Sequence, residues 1–180
     1  ASPHAGPRGP GDNGNAHEGP VEKYRVGVLR TGYYEEAKAL VQAAGAMAEY
    51  VWPDFDPYEV LDDGLRFLFI PSGGLAQVAG LGSFKAALLV YVENGGVVMS
   101  MTQAWGWMFD ALPGGIKGFG WNEVQSCYGG GADVNMRHAV VSGVSAHCEL
   151  PIDGEADAVN RGDVLVTRGR DALPEVVLKP

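Results

Sequence analysis

The sequence predicts an α/β fold: one doubly wound, mostly parallel sheet with helices on both faces. Three observations carry that prediction. Short apolar runs of strand length recur between Arg25 and Met101. Helix-forming stretches separate them, and glycine or proline punctuates almost every junction. Strict alternation of strand and helix favours parallel pairing, because each crossover must return to the same edge of the sheet.

The elements follow in order. Residues 1–22, rich in Gly, Pro, Asn and His, contain no large apolar side chain before Val21. Such a segment cannot offset its own ordering entropy and reads as a disordered leader or linker ahead of a domain over 23–180. Arg25–Arg30 (RVGVLR) is a buried-type strand. Tyr33–Ala44 follows as an amphipathic helix with Ala37, Leu40, Val41 and Ala44 on one face and Gly45 as its stop. Met47–Trp52 is the second strand, Pro57–Asp63 a short helix, and Leu65–Ile70 the third strand, ending in Pro71-Ser-Gly-Gly74. A helix over Leu81–Glu93 ends at Asn94-Gly-Gly96, Val97–Met101 is the fourth strand, and Thr102 opens onto an expected helix over Gln103–Asp110. Gly114–Ala132 holds seven glycines and reads as loop, followed by short strands at Glu149–Ile152, Asp163–Thr167 and Glu175–Leu178.

Composition narrows the function. The net charge of -9, from 22 acidic and 13 basic residues, opposes binding to nucleic acid or to an anionic membrane. No apolar run reaches the roughly 20 residues of a membrane-spanning helix. Neither GxGxxG nor GxxxxGK[ST] is present, so a nucleotide cradle is not expected. No cofactor or metal is expected either. Cys127 and Cys148 form no CxxC, and they fit a pair in an exported protein or two free thiols. An extracytoplasmic location is the reading carried forward.

In open parallel sheets ligands sit beyond the carboxyl ends of the strands. Here those ends are Arg30-Thr-Gly32, Pro71-Ser-Gly-Gly74 and Met101-Thr-Gln103. The segments Phe67-Leu-Phe-Ile-Pro-Ser-Gly-Gly74 and Val92-Glu-Asn-Gly-Gly-Val-Val-Met-Ser-Met-Thr-Gln103 resemble the class I glutamine amidotransferase-like superfamily. The resemblance covers about Arg25 to Leu112. It implies a flavodoxin-like three-layer architecture, oxyanion donors near Gly73 and Gly74, and an elbow bearing a nucleophilic cysteine. Arg137–Val144 (RHAVVSGV) looks like a segment of the trehalose-utilisation-like branch. Gln103-Ala-Trp105 is similar to the elbow of the amidotransferase-like domain that accompanies enhancin-type metallopeptidase modules, though no HExxH occurs here.

Counted from Gly95-Gly96, the resemblance places the cysteine position on Thr102. A threonine hydroxyl lacks the acidity of a thiol and needs a strong adjacent base to attack. His138 has no acidic neighbour in sequence, and His147 beside Cys148 in a strand would point to the opposite face. The degenerate elbow Thr102 and Gln103, with Gly73, Gly74 and Trp105, is therefore read as a ligand pocket rather than a catalytic centre. Thr102 is expected to line it or to cap the following helix. The expected role is a non-catalytic amidotransferase-like binding or interaction module of a larger protein. Its partners would be a small-molecule or carbohydrate ligand, or the other domains of that protein. The alternatives are a hydrolase or amidotransferase-like enzyme with a non-cysteine elbow, and a carbohydrate-binding domain that uses Trp105 and Trp107.

Overall fold

Four parallel strands form the central sheet: β1 (Arg25–Leu29), β2 (Met47–Val51), β3 (Phe67–Ile70) and β4 (Val97–Ser100), in the order β2-β1-β3-β4. The computed structural model describes residues 24–123, 128–135, 137, 139–141, 145–152, 155–158, 163–168 and 174–178. The expected leader, residues 1–22, lies outside them. Register is fixed by pairs such as Val28↔Tyr50, Val28↔Phe69 and Phe69↔Met99. This is the parallel, helix-alternating α/β sheet that the sequence predicts.

Three helices make the crossovers: α1 (Tyr34–Ala43), α2 (Pro57–Asp62) and α3 (Gly82–Glu93). The step from β1 to β2 moves one way along the sheet, and the steps to β3 and β4 move the other way. With right-handed crossovers, that reversal puts α1 on one face and α2 with α3 on the opposite face. The side chains agree. Leu29, Leu68 and Ile70 pack with Leu61, Phe84, Leu88 and Tyr91, whereas Val28 and Phe69 pack with Ala37 and Val41. Alternate residues of each strand feed the two cores.

Local chemistry sets the helix ends. The Asp56 carboxylate accepts the backbone N–H of Tyr58 at 2.8 Å and of Glu59 at 3.4 Å, and Pro57 supplies a preset φ in the first turn of α2. At the end of α3 the Asn-Gly-Gly sequence has two separate jobs. Gly95 takes the left-handed conformation at φ +91°. Gly96 makes room for a ring, since a Cβ there would lie 2.2 Å from Tyr91 Cε1. Tyr91 is fully buried and donates its hydroxyl to Leu65 O at 2.8 Å. Burial pushes its phenol up to about 12.

Two expectations for this half need correction. Leu40 is 55% exposed, so the buried stripe of α1 is Ala37 and Val41. Among the described residues α1 is the one helix on this face, and Leu40 lies outside its line of contact with the sheet. The helix expected over Gln103–Asp110 is not an α-helix: residues 101–105 are irregular, and a 3-10 helix spans Gly106–Ala111.

The last third leaves the parallel pattern. β5 (Lys117–Phe119) pairs antiparallel with β8 (Glu155–Ala158). β6 (Tyr128–Val134), β7 (His147–Ile152), β9 (Asp163–Arg168) and β10 (Pro174–Leu178) pair antiparallel in the order β10-β9-β6-β7. The three late strands read from sequence are present. β5 and β6 lie in the stretch read as loop, and β8 carried no strand signal.

Candidate functional site

The carboxyl ends of β1, β3 and β4 meet in a stitched junction of loops. Strand order reverses between β1 and β3, where an open parallel sheet usually leaves a crevice. Here the crevice is closed by backbone. Gly32 sits at φ +59°, and a Cβ on it would lie 2.5 Å from Ser72 O and 2.6 Å from Gly74 N. Tyr33 N–H donates to Ser72 O at 3.1 Å. Only glycine permits so close an approach in that conformation.

The β3 and β4 loops are tied as firmly. Gly73 N–H donates to Thr102 O at 3.3 Å, and Gly74 N–H donates to Pro71 O at 2.9 Å. Ser72 Oγ donates to Thr102 O at 3.0 Å and lies 3.3 Å from Thr102 Oγ1. Gln103 is fully buried, and its amide is spent mainly on backbone, with a further contact from Nε2 to Ser100 Oγ at 3.4 Å. Its Oε1 accepts from Leu75 N–H at 2.9 Å, and its Nε2 donates to Met101 O at 2.8 Å and to Pro71 O at 3.1 Å. A buried amide satisfied in this way holds two loops in one arrangement.

Residues 120–123 close the junction from the other side. Trp121 N–H donates to Gln103 O and Asn122 N–H to Ala104 O, each at 3.1 Å. The Glu123 carboxylate accepts from Gly106 N–H at 2.6 Å and from Gly120 N–H at 2.9 Å through one oxygen. Gly73, in the left-handed region at φ +68°, lies between two rings. A Cβ on it would be 3.3 Å from Trp121 Cη2 and 3.9 Å from Tyr33 Cδ2.

The sequence-read residues Gly73, Gly74, Thr102 and Gln103 are thus brought together, and their roles separate. Gly74 is buried, and Gln103 is a structural tie. Thr102 is half-buried and starts no helix, so the expected capping role is corrected. Trp105, in extended conformation at φ -140°, is 42% exposed, and Trp107 is 54% exposed. Ser72, Tyr33, Trp121 and Glu123 complete the junction and were not singled out from sequence. Only Ser72 had a signal there, as a member of the Pro-Ser-Gly-Gly run. Cys127 and His138 lie outside the described residues. His147 and Cys148 are consecutive in β7, opposite Asp133 and Ala132 of β6, and only their backbone is described.

Among the described residues no group of three or more His, Cys, Asp or Glu side chains is placed to hold a metal. No described helix is long and apolar enough to cross a membrane. One buried side-chain polar atom among the described residues is unpaired: Thr31, 2% exposed, has no hydrogen-bond partner for its hydroxyl.

Among solved structures, the chain is similar to a protein of Thermoplasma acidophilum that bears the name of a putative GMP synthase subunit. The TM-score is 0.55 over 82% of this chain and 74% of that one. The likeness is one of fold. Sequence identity is 13%, and shared architecture at that level carries no activity with it. No family model matches the chain, and no curated protein matches it.

Proposed function

We propose that this chain is a non-catalytic amidotransferase-like module, which binds a small ligand or a partner at the carboxyl ends of its parallel strands as part of a larger protein. The observation that carries this reading is the state of the backbone donors. Stabilising an oxyanion requires N–H groups aimed at the place where charge develops. Those of Gly73 and Gly74 already donate to Thr102 O and Pro71 O. The Thr102 hydroxyl has a neutral neighbour, Ser72 Oγ, and a hydroxyl needs a strong base before it can attack.

Glutaminase and p-nitrophenyl acetate esterase assays on the wild-type chain, Thr102→Ala and Ser72→Ala test the reading. The expected result is no turnover above buffer in any of the three. Turnover in the wild type that disappears in Thr102→Ala overturns it in favour of a hydrolase with a hydroxyl nucleophile.

A carbohydrate ligand is the second reading. It is favoured by Trp105 and Trp107, exposed at 42% and 54%, and by the Tyr33 and Trp121 rings flanking Gly73. Aromatic faces with polar tips beside them suit the mixed surface of a sugar. A glycan-array screen with wild-type chain and Trp105→Ala separates the two readings. Sugar binding lost in the variant favours the second.

A further inference from the structure

A cluster of two cations and three aromatic rings lies on the α1 face of the sheet, on the side of β1 opposite Thr31. Arg30 directly follows β1, and its N–H donates to Val51 O at 2.8 Å, extending the ladder beside β2. The guanidinium carbon stands 4.1 Å from the centroid of the Trp52 ring and 5.7 Å from those of Tyr34 and Tyr50. Lys38 Nζ, from α1, lies 4.2 Å from the Tyr50 centroid. Tyr34 and Tyr50 brace each other edge to face at 5.6 Å.

Ring contact and charge together mark this cluster. The chain carries -9 overall, and among the described residues the ion pairs are Arg25 with Glu49 and Lys117 with Asp110. Among the described residues neither Arg30 nor Lys38 forms an ion pair. The nearby Glu35 carboxylate accepts the Tyr50 hydroxyl at 2.6 Å instead. A guanidinium held against a ring keeps the N–H groups along its edge available, in the fork that matches a carboxylate. Trp52 remains 57% exposed, which leaves indole surface beside that edge. The cluster lies at the carboxyl ends of β1 and β2, the end of a parallel sheet beyond which ligands sit.

We propose that Arg30 and Lys38, held over Tyr34, Tyr50 and Trp52, form a binding site for a small organic carboxylate with a flat apolar body. Arg30 takes the carboxylate through its paired donors, Lys38 adds a second positive charge, and Trp52 stacks on the body. The site does not depend on the amidotransferase-like reading. It shares no residue with the Ser72–Thr102 junction, so one can fail without the other.

Titration calorimetry on the chain with benzoate, acetate, benzamide and inorganic phosphate tests the proposal. Benzoate, which has both the anion and the flat body, is expected to bind saturably. Acetate and benzamide should be weaker by about tenfold or more, each having lost one recognised feature. Arg30→Gln should abolish benzoate binding, and Lys38→Gln should weaken it about threefold, as befits a half-buried, partly solvated charge. Should Arg30→Gln unfold, as judged by circular dichroism, Arg30→Lys carries the same test. It keeps a cation over Trp52, loses the fork, and should still lose most of the affinity. Benzamide binding as well as benzoate, phosphate binding more tightly than benzoate, or an Arg30→Lys variant with wild-type affinity would overturn the proposal.

Discussion

The two faces of the parallel sheet are built from the same strands yet are covered very differently. On one side α2, α3 and the segment through Leu112 bury Leu29, Leu68, Ile70, Phe84, Leu88 and Tyr91 almost completely. On the other side, among the described residues, α1 is the helix that covers Val28 and Phe69. β4, in register with β3 on this face, leaves Val97 49% and Met99 43% exposed. Apolar content does not explain the contrast, since both sides of the strands are Val-, Leu- and Phe-rich. Connectivity does. One crossover steps toward β2 and two step toward β4, and handedness then assigns one helix to one face and two to the other. A strand's pattern states that it can be buried, and the path of the chain decides whether it is.

The largest expected effect is the sharpest test of that contrast. Leu88→Ala should cost about 2–5 kcal/mol in chemical denaturation, because its surroundings are closed on every side. A loss below about 1 kcal/mol would mean that the α2/α3 core is less filled than its burial indicates.

Gln103→Leu comes next, because its buried amide ties the loops after β3 and β4 together. The change strips a partner from Leu75 N–H, Met101 O and Pro71 O in a buried place. A cost of about 3 kcal/mol is expected, with Thr102→Ala costing under about 1 kcal/mol. The reverse order would make Thr102, not Gln103, the tie between the loops.

Tyr91→Phe should cost about 1–2 kcal/mol by leaving Leu65 O without its donor. It also predicts a pH effect. Burial raises the folded-state phenol from 10.0 to about 12, so its share of stability is fully present below the unfolded value. That share is lost as pH rises through the folded value. Wild-type stability should therefore decline between those two values, and Tyr91→Phe should decline less. Parallel curves for the two proteins would remove Tyr91 as the cause.

Thr31→Val is expected to stabilise by about 1 kcal/mol, since it replaces an unpaired buried hydroxyl with a methyl of the same shape. A loss of stability would show that the hydroxyl has a partner, such as a bound water. The smallest effect belongs to the open face. Leu40→Gln and Met99→Thr should each fall within about 0.5 kcal/mol of wild type, as exposed positions do. A loss well beyond that would mean that the α1 face is covered in solution.

Much of the parallel half is legible in the sequence because its signals are local. Short apolar runs mark β1 to β4 to within about two residues. The short helix read over Pro57–Asp63 is α2, and Asn94-Gly95-Gly96 announces the end of α3. Gly96 was legible as a helix stop, but its second role needed Tyr91 to fold back against it. Leu40 was misplaced because periodicity locates a stripe without saying how wide the covering surface is. At the candidate site, Pro71–Gly74 and Thr102–Gln103 could be paired in advance by resemblance. The helix expected after Thr102 does not form there. Residues 101–105 instead take their hydrogen bonds from Trp121, Asn122 and the Ser72–Gly73 turn, partners that no local propensity specifies.

By itself, then, the sequence determined the alternation of strand and helix in the parallel half, the Asn94-Gly95-Gly96 stop of α3 and the acidic balance. Those depend on residue type and near neighbours. Tertiary structure alone decided that the Gly73 donor is spent on Thr102 O, that Gln103 is a buried tie, that Arg30 rests on Trp52, and that the last strands pair antiparallel. Each of these is a contact between distant segments. Whether a backbone N–H is free or spent depends on which carbonyl the rest of the chain brings to it.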